Sequence, residues 1–251
     1  MNYKTPLPRK SRHARIVHEL GTQIVSGHFL PEQRLPPEAQ LCEEYEVSRP
    51  VLREATRVLV AKGLVRSKPK VGTVVKPRNE WHLLDPDVLH WLLESDSRHS
   101  FYETLVKVRN IIEPEVAAMA AANAQPEDVK AIEDAYQRME QAADIANMAE
   151  PDMAFHLSIA TATHNELLTH LYSIMLLPVR DYLERSSALF AAGDSLNLLV
   201  SRHKAILTAI QHRDPLTARH AAIAQLAGVD DMVAEAFRPQ PLSEGEISYD
   251  H

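Results

Sequence analysis

The sequence predicts a mainly α-helical chain in two unequal parts, with one short β-hairpin in the first. Three observations predict this. Apolar residues recur at helical spacing from residue 12, and again from residue 98 to about residue 237, where no alternating strand pattern appears. Only 7 glycines and 6% aromatics in 251 residues favour helices over sheets. Charge divides along the chain: residues 1–80 hold 15 Lys+Arg against 8 Asp+Glu, whereas residues 81–251 hold 12 against 26. A basic module on an acidic helical body is the pattern of a protein that meets a polyanion.

In "RHARIVHELGTQIVSG" (12–27), Ile16, Leu20 and Ile24 recur every four residues with Val17 and Val25 beside them, which makes one apolar stripe. Gly27 follows where a left-handed cap ends a helix. A second helix is expected from Pro37 to Tyr45, with Leu41 and Cys42 inward and proline tolerated at its start. Glu46 and Val47 form a tight turn, and Ser48 then stands as an N-cap whose hydroxyl accepts from the next turn. Val51, Leu52, Ala55, Val58 and Leu59 give the third helix its apolar stripe, and Gly63 closes it. Leu64–Ser67 and Thr73–Lys76 flank "KPKVG", a hairpin turn. Two short helices about a tight turn, then a hairpin, describe a winged helix-turn-helix.

This module carries its charge in a pattern. Arg49, Arg53 and Arg57 are spaced by four on the third helix, and the hairpin adds Lys68 and Lys70. Such a face neutralises phosphates and reaches base edges in a major groove. A solvated basic helix would show the same arginines, but not the cap, turn and hairpin with them.

The stretch "RLPPEAQLCEEYEVSRPVLREATRVLVAKGLVRSKPKVGTVV" resembles the winged helix-turn-helix of GntR-type bacterial transcription regulators, over residues 12–78. The resemblance implies that Arg49 and Arg53 contact bases or phosphates, with Ser48 and Gly72 near the DNA backbone. One departure is Ala39, where members of the family often carry arginine after the glutamate of "LPxE". That departure implies a different operator.

Residues 79–97 form a joint. Trp81, Leu84, Val88, Leu89, Trp91 and Leu92 place both tryptophans of the chain in one short segment, with Asp85–Pro86 as a helix start. A helix that docks one domain on the other is expected. From 98 onward, helices are expected at about 98–123, 126–148, 150–163, 165–191, 195–212 and 215–237, forming a bundle that holds ligands between facing helices. Residues 238–251, polar and with two prolines, are expected to be a disordered tail.

Within the bundle, Asp152 and His156 are four residues apart, about 40° round a helix and so on one face; His203 lies on a later helix. A carboxylate with imidazoles suits a divalent transition metal such as zinc, nickel or manganese. With 13 histidines in the chain, solvated or core histidines explain the same spacing. Arg109 sits in an apolar stretch, where it either pairs internally with Glu113 or meets a ligand carboxylate.

"LVKVRNIIEPEVAAMAA", "DMAFHLSIATATHNELL" and "RHKAILTAIQHRDPLTAR" resemble the all-helical effector domain of the FadR-type (FCD) branch of that family, over about residues 98–237. The resemblance implies a metal held by an aspartate and three histidines, with a carboxylate effector beside it. Asp152, His156 and His203 match three ligands; the fourth position falls on Gln225, and glutamine is a poor ligand for these metals. His220 lies about 140° round the helix from it and does not substitute. The resemblance places Arg109 at the effector cavity, with Asn165, Arg180 and Gln225 as further effector contacts, and points to repressors of sugar-acid operons with an aldonate or uronate effector.

The expected function is a ligand-responsive transcription regulator, a homodimer on a palindromic DNA operator, released by a small carboxylate. Its rival is a metal-dependent enzyme acting on a sugar acid with an appended DNA-binding module, although no general base stands beside the metal-type residues as in H-E-x-x-H. A third reading is a constitutive architectural DNA-binding protein. A single cysteine, Cys42, excludes an internal disulfide. With no apolar leader and no membrane-spanning run, the location expected is the cytoplasm.

Overall fold

The computed structural model describes residues 12–68, 71–96, 98–186 and 193–236. The N-terminal unit is built from α1 (Arg12–Val25), α2 (Glu38–Glu44), α3 (Arg49–Ala61) and the hairpin β1 (Val65–Lys68) and β2 (Gly72–Val75). Ile16, Leu20 and Ile24 of α1 are buried against Leu52, Ala55 and Leu59 of α3, with Leu64, Val65 and Val75 closing the core from the hairpin. Burying each of these isoleucines, leucines and valines contributes about 1.5–3 kcal/mol. Gly27 and Gly63 both adopt positive φ (84° and 74°) and end α1 and α3 as the sequence predicts. The helix-turn-helix turn places Glu46 in the left-handed region at φ 52°. Ser48 occupies the N-cap of α3 with extended backbone, but its side chain makes no cap bond.

The hairpin is antiparallel, pairing Val65 with Val75 and Lys68 with Gly72. The sequence reading missed its third edge. Residues 32–35 run along β2, with Leu35 N donating to Thr73 O and Val75 N to Gln33 O, each at 2.9 Å. Pro36 and Pro37 stop that edge after one bridge, Arg34 to Val74, so no alternating run announces it.

A 3₁₀ turn (Arg78–Glu80) leads to α4 (Pro86–Glu94), capped by Asp85, whose carboxylate accepts from Asp87 N and Val88 N. Helix α4 belongs to both halves. Val88, Trp91 and Leu92 lie in the N-terminal core, whereas Leu89 and Leu93 lie in the bundle core. The seat of Trp91 on α1 needs Gly21: a Cβ there would lie 2.5 Å from the indole ring. Trp91 Nε1 donates to His18 Nδ1 at 3.0 Å. At the end of α3, buried Lys62 donates to Asp85 at 2.8 Å and pairs with Asp87 at 2.6 Å, which fastens the recognition helix to the start of α4. Burial disfavours the charge of Lys62, yet these two carboxylates hold its pKa above the ordinary value. Leu84, expected to pack in the joint, is exposed.

The bundle comprises α5 (Arg98–Asn123), α6 (Pro126–Glu140), α7 (Ile145–Ala162), α8 (Glu166–Ser186), α9 (Gly193–Gln211) and α10 (Pro215–Ala236). Helix α5 packs chiefly on α10, and α7 on α6 and α8. One expected boundary is corrected. Pro151 does not separate two helices but lies inside α7; the break comes earlier, where Asp144 caps α7 by accepting from Asn147 N at 2.8 Å. An interior proline removes one backbone bond and crowds the carbonyl four residues back, and the buried core around Pro151 outweighs that cost here. Helix α8 is described only to Ser186, and the expected tail, 238–251, lies outside the described residues. No helix among the described residues is long and apolar enough to cross a membrane.

Candidate functional site: a basic face and a buried polar centre

Two sites stand out, one exposed and one buried. On the exposed face, Arg49, Arg53 and Arg57 all lie on the outside of α3, and Lys68 ends β1. Arg53 Nε donates to Glu38 at 3.0 Å and Arg57 to Glu54 at 3.1 Å, whereas the Arg49 side chain has no partner among the described residues. These pairs are exposed and therefore weak, so DNA phosphates can replace them. Gly72, at φ 98°, opens β2 opposite Lys68. Lys70 lies outside the described residues. Between α3 and the hairpin runs a groove of about 970 Å³ lined by Arg34, Arg53, Arg57, Ser67 and Thr73. Arg34 was missed from sequence, since only the pairing of residues 32–35 with β2 brings it to this groove.

The buried centre gathers side chains from four helices: Arg109 and Glu113 from α5, Asp152 and His156 from α7, His203 from α9 and Gln225 from α10, all nearly inaccessible to solvent. Asp152 Oδ1 lies 3.0 Å from His203 Nε2 and 3.8 Å from His156 Nε2, and the two imidazole nitrogens are 3.3 Å apart. The Gln225 amide nitrogen is 3.5 Å from His203 Nε2. Arg109 donates to Glu113, whose other oxygen lies 3.7 Å from His156 Nδ1. Phe155 sets its ring edge-on to both imidazoles.

The charge state follows from burial. Burial pushes His156 below its ordinary pKa in spite of Glu113 and Asp152, so its imidazole is neutral at neutral pH. Burial alone would raise Asp152, but His156, the His203 hydrogen bond and Arg109 together hold it down at about 2. Burial opposes the Arg109 charge, yet Glu113 raises its pKa above the ordinary value. Arg109 against two carboxylates leaves one net negative charge when both imidazoles are neutral. Such a charge is costly in a core unless something offsets it.

The donor set fits a divalent metal. His203 Nδ1 lies 2.7 Å from Leu199 O. With the Nδ1 proton donated there, Nε2 turns towards Asp152 and His156, where it gives a proton to Asp152 or, once that proton is displaced, offers a lone pair to a metal. Three ligand atoms 3.0–3.8 Å apart bracket the separation of about 3.4 Å expected of tetrahedral ligands about 2.1 Å from one ion. Two lone pairs and a carboxylate facing one another need a proton or a cation between them.

The sequence grouped Asn165 and Arg180 with this centre, and the structure does not. Asn165 caps α8, its Oδ1 accepting from Leu167 N and Leu168 N. Arg180 is exposed; both line a separate groove of about 1070 Å³ between α7 and α8. Tyr172 of α8 instead approaches the centre: buried, its hydroxyl is pushed well above the ordinary tyrosine value by burial and by Glu113. Nothing in its local sequence marked it. His220 is exposed and away from the centre, as its helical position predicts.

Comparison with known proteins gives this geometry a context. Residues 12–75 match the family of "bacterial regulatory proteins, gntR family", and residues 104–228 match the FCD domain. The galactonate operon transcriptional repressor of Escherichia coli (strain K12) is 38% identical over 221 residues, covering 85% of this chain and 93% of that protein. The HTH-type transcriptional regulator LutR of Bacillus subtilis (strain 168) is 31% identical over 219 residues, covering 85% and 97%. The solved structure of Lar, described as controlling the Listeria monocytogenes agr system, aligns with a TM-score of 0.61 at 19% identity, over 93% of this chain and all of that one. At that identity the likeness shows the fold alone.

Proposed function

The chain belongs to the GntR family of bacterial regulators, in its FCD branch, and from that premise we propose that it represses a sugar-acid catabolic operon and is released by an aldonate or uronate. It is a ligand-responsive DNA-binding transcription regulator, and the rival enzyme reading has no support among its relatives. The observation that carries the ligand response is the convergence of Arg109, Asp152, His156 and His203 in one buried centre. The similarity to a galactonate operon repressor supports the choice of ligand class.

In this reading residues 1–78 bind DNA, residues 79–97 join the halves, and residues 98–237 bind the effector. Arg49, Arg53, Arg57, Lys68 and Lys70 meet the operator, with Ser48 and Gly72 at its backbone. Asp152, His156 and His203 hold one divalent transition metal, which supplies a positive centre for the effector's oxygens. Arg109 takes the effector carboxylate in exchange for Glu113, its partner in the structure. Asn165 and Arg180 leave the effector site for the outer groove. The protein works in the cytoplasm, where bacterial DNA is.

A homodimer on a palindromic operator completes the proposal, because one helix-turn-helix reads one half-site. An exposed band on α5 and α10 supports it. Glu115 and Arg219 pair across the two helices at 2.6 Å, with Ile111 and Ile223 exposed to one side and Met119 and Leu216 to the other. A face with one acid, one base and flanking apolar groups is complementary to a second copy of itself about a two-fold axis.

The test is operator release. Fluorescence anisotropy of labelled operator, titrated with galactonate and other sugar acids before and after chelator treatment, is expected to show release by one of them and weaker release once metal is removed. Operator affinity unmoved by every sugar acid overturns the effector assignment.

A further inference from the structure

One polar atom in the buried centre is unexplained. Gln225 is buried, and its Oε1 has no hydrogen-bond partner, while the other end of its amide lies 3.5 Å from His203 Nε2. An unpaired buried carbonyl oxygen costs about 1–3 kcal/mol, so a protein keeps one only where something else satisfies it. Rotating the amide by 180° exchanges its two ends. The nitrogen then leaves His203, and Oε1 turns towards the atoms of Asp152, His156 and His203.

That orientation makes sense only with a cation in place. Without one, His203 Nε2 offers Oε1 no donor: any proton it carries goes to Asp152 at 3.0 Å, and Nδ1 of that ring is committed to Leu199 O at 2.7 Å. With one, the oxygen gains a partner and the orphan disappears. The orientation in the structure, with N–H towards His203, is the arrangement expected without a cation. The amide therefore has two settings, and the cation selects between them.

We propose that Gln225 is the fourth ligand through Oε1, and that its oxygen shifts the centre towards harder divalent cations than a histidine at this position would. This rests on the reading that Asp152, His156 and His203 hold a metal. The donor set becomes two imidazole nitrogens and two oxygens. Affinities at any nitrogen–oxygen site rise from manganese towards zinc, but an imidazole widens that gap and an amide oxygen narrows it. Glutamine here weakens zinc more than manganese, with no change of charge, since a ligating imidazole is neutral too.

The experiment measures zinc and manganese dissociation constants by calorimetry on the full chain freed of metal by chelator, with the electron paramagnetic resonance of bound manganese as an independent reading. Wild type is compared with Gln225→His and Gln225→Leu, the melting curve of each confirming that it folds. For Gln225→His, zinc is expected to bind about 10–100-fold tighter and manganese to change by less than about threefold, so the ratio of the two constants widens at least about tenfold. Gln225→Leu, which keeps the volume and loses the oxygen, is expected to weaken both metals and to alter the manganese spectrum. A Gln225→Leu protein with wild-type constants and spectrum overturns the proposal, as does an unchanged ratio in Gln225→His; both leave the three-residue metal site standing. Wild type binding neither cation at millimolar concentration instead overturns the metal reading beneath it.

Discussion

The two sites solve opposite electrostatic problems. The arginines of α3 are exposed, each with at most one weak partner among the described residues, and their charge stays in water until DNA arrives. The ionisable groups of the bundle are buried, and each depends on its neighbours: Arg109 on Glu113, Asp152 on His203. In water, removing one charge costs almost nothing until a ligand needs it. In a core, removing one charge leaves another uncompensated. The same substitution should therefore strike stability at one site and affinity at the other.

The largest expected effect is at Arg109. Arg109→Ala leaves Glu113 and Asp152 buried without their cation, and breaking such a pair costs about 3–5 kcal/mol. Urea unfolding of the chelated protein is expected to show a loss of that size, with much of it recovered when Glu113→Leu is added. Effector response is then read on a bundle that still folds, for which Arg109→Lys, keeping the charge but not the planar fork, is the cleaner variant. A loss below about 1 kcal/mol in Arg109→Ala would show that water or another cation replaces the guanidinium, and the contrast between the sites would collapse.

Next comes the joint. Gly21→Val drives a side chain into Trp91, and overpacking of this kind costs about 1–3 kcal/mol. Because α4 shares its residues between both cores, the strain is expected to uncouple them: operator binding persists while effector-driven release weakens. Release at wild-type effector concentrations would show that coupling does not run through the seat of Trp91.

On the exposed side, Arg49→Ala and Arg53→Ala are each expected to cost about 1–3 kcal/mol in operator affinity if they reach base edges, with unfolding free energies within about 0.5 kcal/mol of wild type. Binding should weaken with salt by about 0.9 log units per log salt for each phosphate neutralised. Salt-independent binding would remove the basic face from the reading.

Acid separates the sites by a different lever. Burial holds His156 below the ordinary value of 6.5, so the folded chain resists a proton that the unfolded chain accepts. The stability from this neutral histidine is full above pH 6.5 and is lost as pH falls from there, by at most about 1.4 kcal/mol per pH unit. Asp152, held near 2 against an ordinary 3.8, keeps its contribution until pH falls below 3.8. Chelated protein melted between pH 8 and pH 4 is expected to weaken first below about 6.5. A melting point flat to pH 5 would place His156 in a solvated setting.

Legibility in the sequence follows the same division. Local features were readable: the stripe of α1, the glycine caps, the turn at Glu46 and the i,i+4 pairing of Asp152 with His156 all depend on residues a few positions apart. Features that join distant segments were not. The edge at residues 32–35 has meaning only beside β2, and Lys62 looks like a surface lysine until Asp85 and Asp87 fold back onto it. Arg180 was misplaced because the sequence does not say which side of α8 meets which neighbour. Tyr172, eight residues earlier and about 80° round the helix, faces the centre instead.

The smallest expected effect concerns a pair that belongs to the exposed side but behaves a little like the buried one. Glu38 begins α2 and accepts from Arg53 at 3.0 Å, holding a recognition-helix arginine before DNA is present. As a solvent-exposed pair it is worth about 0.2–1 kcal/mol, and DNA must break or share it. Glu38 also sets a negative charge on the groove that phosphates approach. Both effects oppose binding, so Glu38→Gln is expected to tighten operator affinity by about that amount at low salt. The gain should fade as salt rises, because a single exposed charge is screened beyond about 10 Å at 0.1 M. The opposite result has a definite meaning. If Glu38→Gln weakens binding, and weakens it for the operator more than for unrelated DNA, then Glu38 is a positioning residue. It would fix Arg53 in the geometry that reads a base, and the exposed site would depend on a neighbour for specificity as the buried site depends on its neighbours for stability.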